Sequence, residues 1–164
     1  MYDLRLRQYT PKYFKPFELC SQAAYKARGT QILELVCTKL LISMDDLRLA
    51  LSENTPDEPK RGILTCNDWF YGGQRQFSCL RFHGEKYHKD YSGHSLGMAA
   101  DLVSKYYTGH QLRDFIIANR EKFPYITRIE GDVSWLHIDV ENLPADAPKD
   151  AIEIFYTDRP SIYV

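Results

Sequence analysis

Residues 134–140 read SWLHIDV, and the alternation in these seven residues governs how the rest of the chain is read. As a strand, the segment sets Leu136, Ile138 and Val140 on one face and Trp135, His137 and Asp139 on the other. A strand whose apolar side is complete leaves the histidine face free to line a cleft. One solvated face is also the ordinary condition of an antiparallel sheet. Trp135 on the polar side is less expected under that plainer reading.

Outward from this strand, the pattern before it changes from helical to extended. Tyr125–Glu130 reads as a second strand, and Gly131-Asp132 between the two is a hairpin turn signal. Ala151–Tyr156 and Ser161–Val164 supply short terminal strands, and residues 63–66 (ILTC) a short buried one. From Thr30, a plausible N-cap, apolar residues recur at helical spacing through Ile32, Leu33, Val36, Leu40, Met44, Leu47 and Leu51. Pro16–Lys26 fits a shorter helix ahead of it, and Leu112–Phe123 a later one ended by Pro124. Residues 52–62 (SENTPDEPKRG) read as an exposed loop. Residues 67–95 hold four glycines and no period, and a stretch that long without periodicity is usually functional. Helices first, then a mostly antiparallel sheet with one intervening helix, predicts a single α+β domain over 1–164.

Composition removes whole classes of function. A chain of 164 residues with 21 basic and 22 acidic side chains and a net charge of −1 lacks the basic excess of a general nucleic-acid binder. No apolar run approaches the roughly 20 residues that span a bilayer, so neither nucleic acid nor membrane is an expected partner. The opening MYDLRLRQYTPKYF lacks the apolar stretch of a secretory signal. The four cysteines, Cys20, Cys37, Cys66 and Cys79, form no CxxC pair and are too few for a disulfide scaffold. Buried free thiols are expected.

The second stretch with chemistry is SGHSLGMAADL, residues 92–102. His94 and Asp101 are seven apart (101 − 94), which along one unbroken strand would send them to opposite faces. Gly97 can break that regularity, and the small residues around it let the backbone pass close to a neighbour. Combined with His137, two histidines and one carboxylate make the ligand set of a catalytic zinc with an open fourth position. Such an ion brings the pKa of water to about 7 and polarises a scissile carbonyl.

The two segments together resemble the zinc D-alanyl-D-alanine carboxypeptidase family, whose fold is shared with the hedgehog signalling domain. The shared pattern is S-x-H, six residues and Asp, with G-x-A-x-D inside it, followed by W-x-H-x-D. Ser92, His94, Gly97, Ala99, Asp101, Trp135, His137 and Asp139 all fit. A looser likeness runs through NDWFYGGQRQFSCLR, where relatives carry N-x-W, paired glycines and S-G-x-R. The branch in view includes phage cell-wall endopeptidases, or endolysins. The resemblance implies that His94, Asp101 and His137 ligate Zn2+, and that Arg81 holds substrate near the scissile carbonyl. Cys79 stands where the family usually has glycine.

The general base is less settled by this resemblance. Many relatives carry an acid three positions before the second histidine, where this chain has Ser134. Hedgehog-like relatives place a glutamate further back, which suggests Glu130. A tight Gly131-Asp132 hairpin would pair Ile126 with His137 and leave Glu130 roughly 13 Å along the strand, whereas a looser turn would remove that objection. Asp139 shares the His137 face and could act as base or support a ligand from outside; Asp132 is the third candidate. His83 and His88 flank the presumed cleft with Tyr87 and Tyr91, and His110 fits a helix start. The expected function is zinc-dependent hydrolysis of peptidoglycan stem peptides, as a carboxypeptidase or an endolysin-type endopeptidase. The alternative is a non-catalytic zinc-binding or structural virion domain that keeps the fold. The expected partners are the peptidoglycan peptide and phage virion components, reached after lysis or from within a virion.

Overall fold

The computed structural model describes residues 2–164. Its helices are α1 (Gln22–Arg28), α2 (Thr38–Glu53) and α3 (Gly109–Ala118). Its strands are β1 (Leu64–Thr65), β2 (Ala99–Ser104), β3 (Arg128–Glu130), β4 (Leu136–Asp139), β5 (Glu153–Phe155) and β6 (Ile162–Tyr163), in one six-stranded sheet of order β1-β2-β4-β3-β5-β6. The fold is α+β, as the element pattern predicts.

The sheet is mostly antiparallel, as expected, but it is mixed, which corrects the reading of a wholly antiparallel sheet. β3 pairs with β5 in parallel, while the other four pairings are antiparallel. The segment after β4 passes the end of β3, where Thr127 Oγ1 donates to the Glu141 carbonyl and Glu153 N–H donates to the Thr127 carbonyl at 2.9 Å. β5 therefore reverses relative to β4 but lies on the far side of β3, and so runs parallel to it. Strand periodicity is the same for either direction, so the sequence pattern carries no information on this point.

The two faces of the sheet differ in kind. Ala100, Leu102, Leu136, Ile138, Ile129 and Ile154 are all buried and form one core with Leu40, Leu41, Met44, Leu47 and Leu51 of α2 and Leu112 and Ile116 of α3. Each such apolar side chain gains about 1.5–3 kcal/mol on burial. The opposite face carries Asp101, His137, Asp139, Arg128 and Glu130.

The long helix expected from Thr30 is divided. Gly29–Glu34 is a 3₁₀ segment, and α2 begins only at Thr38, without a side-chain cap. The cause is tertiary. Cys37 N–H is spent on the Gly97 carbonyl at 2.8 Å. Gly97, at φ +68°, lies so close to the Leu35 carbonyl that a Cβ there would sit 2.1 Å from its oxygen. The later helix also shifts: Thr108 caps α3 in a capping box with Gln111, and the helix ends at Ala118, five residues short of Phe123 (123 − 118). His110 is exposed at its first turn, 3.5 Å from Asp114.

The N-terminal segment is anchored by one buried carboxylate. Asp45 on α2 accepts from Tyr9 Oη at 2.7 Å and from the backbone N–H groups of Lys12 and Tyr13 at 2.6 and 3.2 Å. A buried acid in an apolar helix is tolerated because its oxygens are so fully satisfied. All four cysteines are free thiols, and Cys20, Cys66 and Cys79 are buried. No helix among the described residues is long and apolar enough to cross a membrane.

Candidate metal centre

The sheet registers bring the chemistry together. β2 and β4 pair Asp101 with His137 and Ala99 with Asp139, and β3 and β4 pair Arg128 with Asp139 and Ile129 with Ile138. Continued by one residue past its last pair, the second register brings Glu130 level with His137, and both line the same cleft. Directly opposed residues share a face, so one row across the sheet holds Asp101, His137 and Glu130. The tight Gly131-Asp132 hairpin does not form, and the register differs from it by four residues (130 − 126).

The wider turn is held from outside. Buried Arg113 on α3 donates through Nη1 to the carbonyls of Val133 and Trp135 at 3.0 and 3.1 Å. Gly131 N–H donates to the Phe155 carbonyl at 2.9 Å. Asp132 is drawn away, its Oδ2 accepting from Thr157 N–H at 3.1 Å and from the Thr157 hydroxyl. It is exposed and far from a role at the centre.

His94 reaches the same face from the loop before β2. The left-handed Gly97 breaks the strand that would have turned His94 and Asp101 apart. His94, Asp101 and His137, all buried, each offer one ligand atom, and these atoms lie within 4.8 Å of one another. His94 Nε2 is 3.3 Å from Asp101 Oδ2, and His137 Nδ1 is 2.8 Å from Asp101 Oδ1. Around a tetrahedral ion with bonds near 2 Å, ligand atoms stand roughly 3.3 Å apart. The three residues can therefore hold a metal ion with small adjustments.

Each imidazole is also fixed from behind. His94 Nδ1–H donates to the Cys79 carbonyl at 2.8 Å, which turns Nε2 toward the cluster. His137 Nε2 stands 3.6 Å from Asp139 Oδ2, so its Nδ1 faces inward. Asp139, 1% exposed, is itself 3.3 Å from Arg128 Nη1. Outer partners of this kind set ring orientation and ligand basicity at metal sites. Asp139 thus stands between His137 and Arg128.

Without an ion, charge is balanced internally. Asp101 accepts from Arg81 Nη2 at 2.8 Å and from Trp135 Nε1 at 3.1 Å, besides its His137 contact. Burial alone would raise the Asp101 pKa, but hydrogen bonds from His137 and His94 outweigh it and hold the carboxyl well below the usual range. Burial alone would lower that of His137, but Asp101 and Asp139 outweigh it and push the imidazole up to about 9. A proton on His137 thus occupies the place of a cation. Glu130 is half-buried, and burial raises its carboxyl pKa against the lowering pull of His137.

These groups open onto a cleft of about 1310 Å³ lined by His94, Asp101, His137, Asp139, Glu130 and Arg81. Its other wall comes from the aperiodic stretch 67–95, including Tyr87 and Tyr91. The N-x-W and S-x-x-R positions brace that wall. Asn67 Oδ1 accepts from Ser78 N–H at 2.9 Å, Trp69 Nε1 donates to the Cys20 carbonyl at 2.8 Å, and Asp101 N–H donates to the Ser78 carbonyl at 2.6 Å.

Three contributors escaped the sequence reading. Arg128 links Asp139, Glu141 and Glu153 at 3.3, 3.3 and 2.9 Å; its two-residue spacing from Glu130 was the available signal. Cys79 acts through its backbone carbonyl, which side-chain identity does not reveal. Phe155 packs edge-on to His137, with ring centroids 5.5 Å apart, and only the parallel β3–β5 pairing brings it there. No family model, curated protein or solved structure matches this chain.

Proposed function

We propose that the protein is a zinc-dependent peptidase that hydrolyses peptide bonds in bacterial peptidoglycan stem peptides. The observation that carries this reading is the convergence of His94, Asp101 and His137 in a cleft that also presents Glu130 and Arg81. Two imidazoles and one carboxylate suit zinc, and an open side toward the cleft is what distinguishes a catalytic from a structural zinc site. We further assign the fold to the hedgehog/D-alanyl-D-alanine peptidase type, supported by the motif pair lying on adjacent strands β2 and β4. Peptidoglycan as substrate, and action after lysis or from within a virion, rest on the motif resemblance.

His94 Nε2, Asp101 and His137 Nδ1 would hold the zinc ion, which would supply Lewis-acid polarisation of a peptide carbonyl and acidify water. Glu130 takes the proton of the attacking water as the new C–O bond forms. It returns that proton to the departing amine as the C–N bond breaks. Burial raises its pKa above the ordinary carboxylate value, which makes it a stronger base than an exposed carboxylate. Arg81 remains charged, and its guanidinium can turn from Asp101 toward the oxyanion that develops. Asp139 and Arg128 hold the His137 ring in place throughout.

The test is zinc-loaded protein on purified peptidoglycan, with released muropeptides identified by mass spectrometry beside Glu130→Gln. Cleavage by the wild type, with Glu130→Gln retaining zinc but losing cleavage, supports the reading. Full zinc occupancy with no new termini would instead favour a zinc domain used for binding.

A further inference from the structure

A second group with the same donor types lies on the cleft wall before His94. His83, His88 and Asp90 each offer one ligand atom, and these atoms all lie within 4.8 Å of one another. His88 Nδ1 is 3.8 Å from Asp90 Oδ1, and the His83 and His88 rings meet edge to face at 5.5 Å. His83 and Asp90 are exposed and His88 is half-buried.

The loop that carries them is built rather than loose. Phe82 N–H donates to Glu85 Oε2 at 2.7 Å, Glu85 N–H to the Phe82 carbonyl at 3.1 Å, His88 N–H to the Glu85 carbonyl at 3.2 Å and Ser92 N–H to the Lys89 carbonyl at 3.2 Å. The Ser21 hydroxyl bonds Glu85 Oε1 and ties the loop to α1. Tyr87 and Tyr91 adopt φ of 64° and 61°, a left-handed conformation that bulky residues rarely take and that costs free energy. These turns divide the loop into two sides. Lys86, Tyr87, Lys89 and Tyr91 line the cleft, whereas His83, His88 and Asp90 fall outside its lining.

We propose that His83, His88 and Asp90 form a second metal site, on the outer side of the cleft wall, for a divalent transition ion such as Zn2+. Two imidazoles and a carboxylate match such ions and do not suit Ca2+ or Mg2+, which take oxygen ligands. Drawing the present 3.8 Å separation of His88 and Asp90 to the roughly 3.3 Å of a tetrahedral site needs only rotation of the exposed Asp90 side chain. The ion fastens two turns of the loop and thereby holds Lys86, Tyr87 and Tyr91 toward the cleft. The site stands independently of the peptidase reading.

The test is titration of the full chain with Zn2+ under equilibrium dialysis, with metal content measured by mass spectrometry. Wild type binds two ions, His88→Ala binds one, His137→Ala binds one, and the double variant binds none. Asp90→Asn weakens the second binding event at least tenfold. In wild type, filling the second site slows hydrogen exchange of backbone amides 83–92, and His88→Ala abolishes that slowing. Circular dichroism of the exposed-residue variants checks that they fold. A single ion retained by His88→Ala and lost in His137→Ala overturns the proposal, as does two-ion binding unaffected by His88→Ala. One ion lost in His88→Ala but kept in His137→Ala upholds this site and instead sinks the buried centre.

Discussion

Two His-His-Asp groups share the same donor types, one confined to a single loop and one gathered from residues 94 to 137, and they are constructed differently. His94, Asp101 and His137 are buried on or beside paired strands, and each imidazole has a second partner, the Cys79 carbonyl or Asp139. His83, His88 and Asp90 sit at the surface of one loop, and among the described residues neither imidazole has a hydrogen bond to the backbone. The same donor types therefore give two grades of preorganisation. In the buried group the ionised Asp101 is met by the Arg81 guanidinium and by a proton held on His137. Water solvates His83 and Asp90 of the second group, while His88 is half-buried against the His83 ring.

The contrast can be broken most severely at His137. His137→Ala should abolish retention of zinc at the buried centre and reduce muropeptide release to background. Metal analysis after dialysis, together with a cleavage assay, checks both. Retained activity would mean that the buried triad is not the reacting centre.

Glu130→Gln should separate chemistry from metal binding. Removal of a general base typically lowers the rate about 10²- to 10⁴-fold, and zinc affinity should be unchanged because Glu130 is not among the three ligands. Single-turnover cleavage beside a zinc titration measures the two quantities separately. Asp139→Asn comes next. It removes the carboxylate behind His137 and should weaken zinc about 10- to 100-fold, read by competition with a chromophoric chelator.

Proton competition sharpens the comparison further. Zinc must displace the His137 proton, so affinity at the buried centre should rise roughly tenfold per pH unit up to about 9. Metal-free protein has the opposite dependence. The folded-state pKa of His137 lies above the ordinary 6.5, so its stabilisation is complete below that value. It is lost as pH climbs through about 9. Thermal unfolding of the metal-free and zinc-loaded forms between those limits should therefore diverge. Parallel curves would remove the proton from this account.

The smallest effect belongs to the exposed group. His88→Ala in metal-free protein should shift stability by no more than about 0.5 kcal/mol, as for surface substitutions generally. Chemical denaturation measures it. A larger loss would mean that His88 supports the loop without an ion.

Much of the centre was legible because its elements are short and strongly patterned. Alternation in SWLHIDV assigned His137 and Asp139 to the face opposite Leu136 and Ile138, and the sheet keeps that division. Gly97, read as a break in regularity, provides that break through its left-handed backbone. The aperiodic stretch 67–95 forms a cleft wall. Less legible were features set by groups distant in sequence. The helix expected from Thr30 is cut because Cys37 N–H is taken by Gly97, some 60 residues away (97 − 37). The role of Cys79 belongs to its carbonyl, which any residue would possess.

By itself, the sequence determined which residues share a strand face, because side chains alternate with a period of two whatever the partner strand. It also determined the donor types available to a metal, since these are side-chain chemistry. Register, strand direction and proton ownership came only from the tertiary structure. Arg113 and Phe155 hold the turn after β3 open, so that Glu130 rather than Ile126 faces His137. A path past the end of β3 makes β5 parallel. Asp101 and Asp139 then hold a proton on His137 against the cost of burial. Each of these depends on contacts between residues far apart in the chain, and local periodicity contains no record of them.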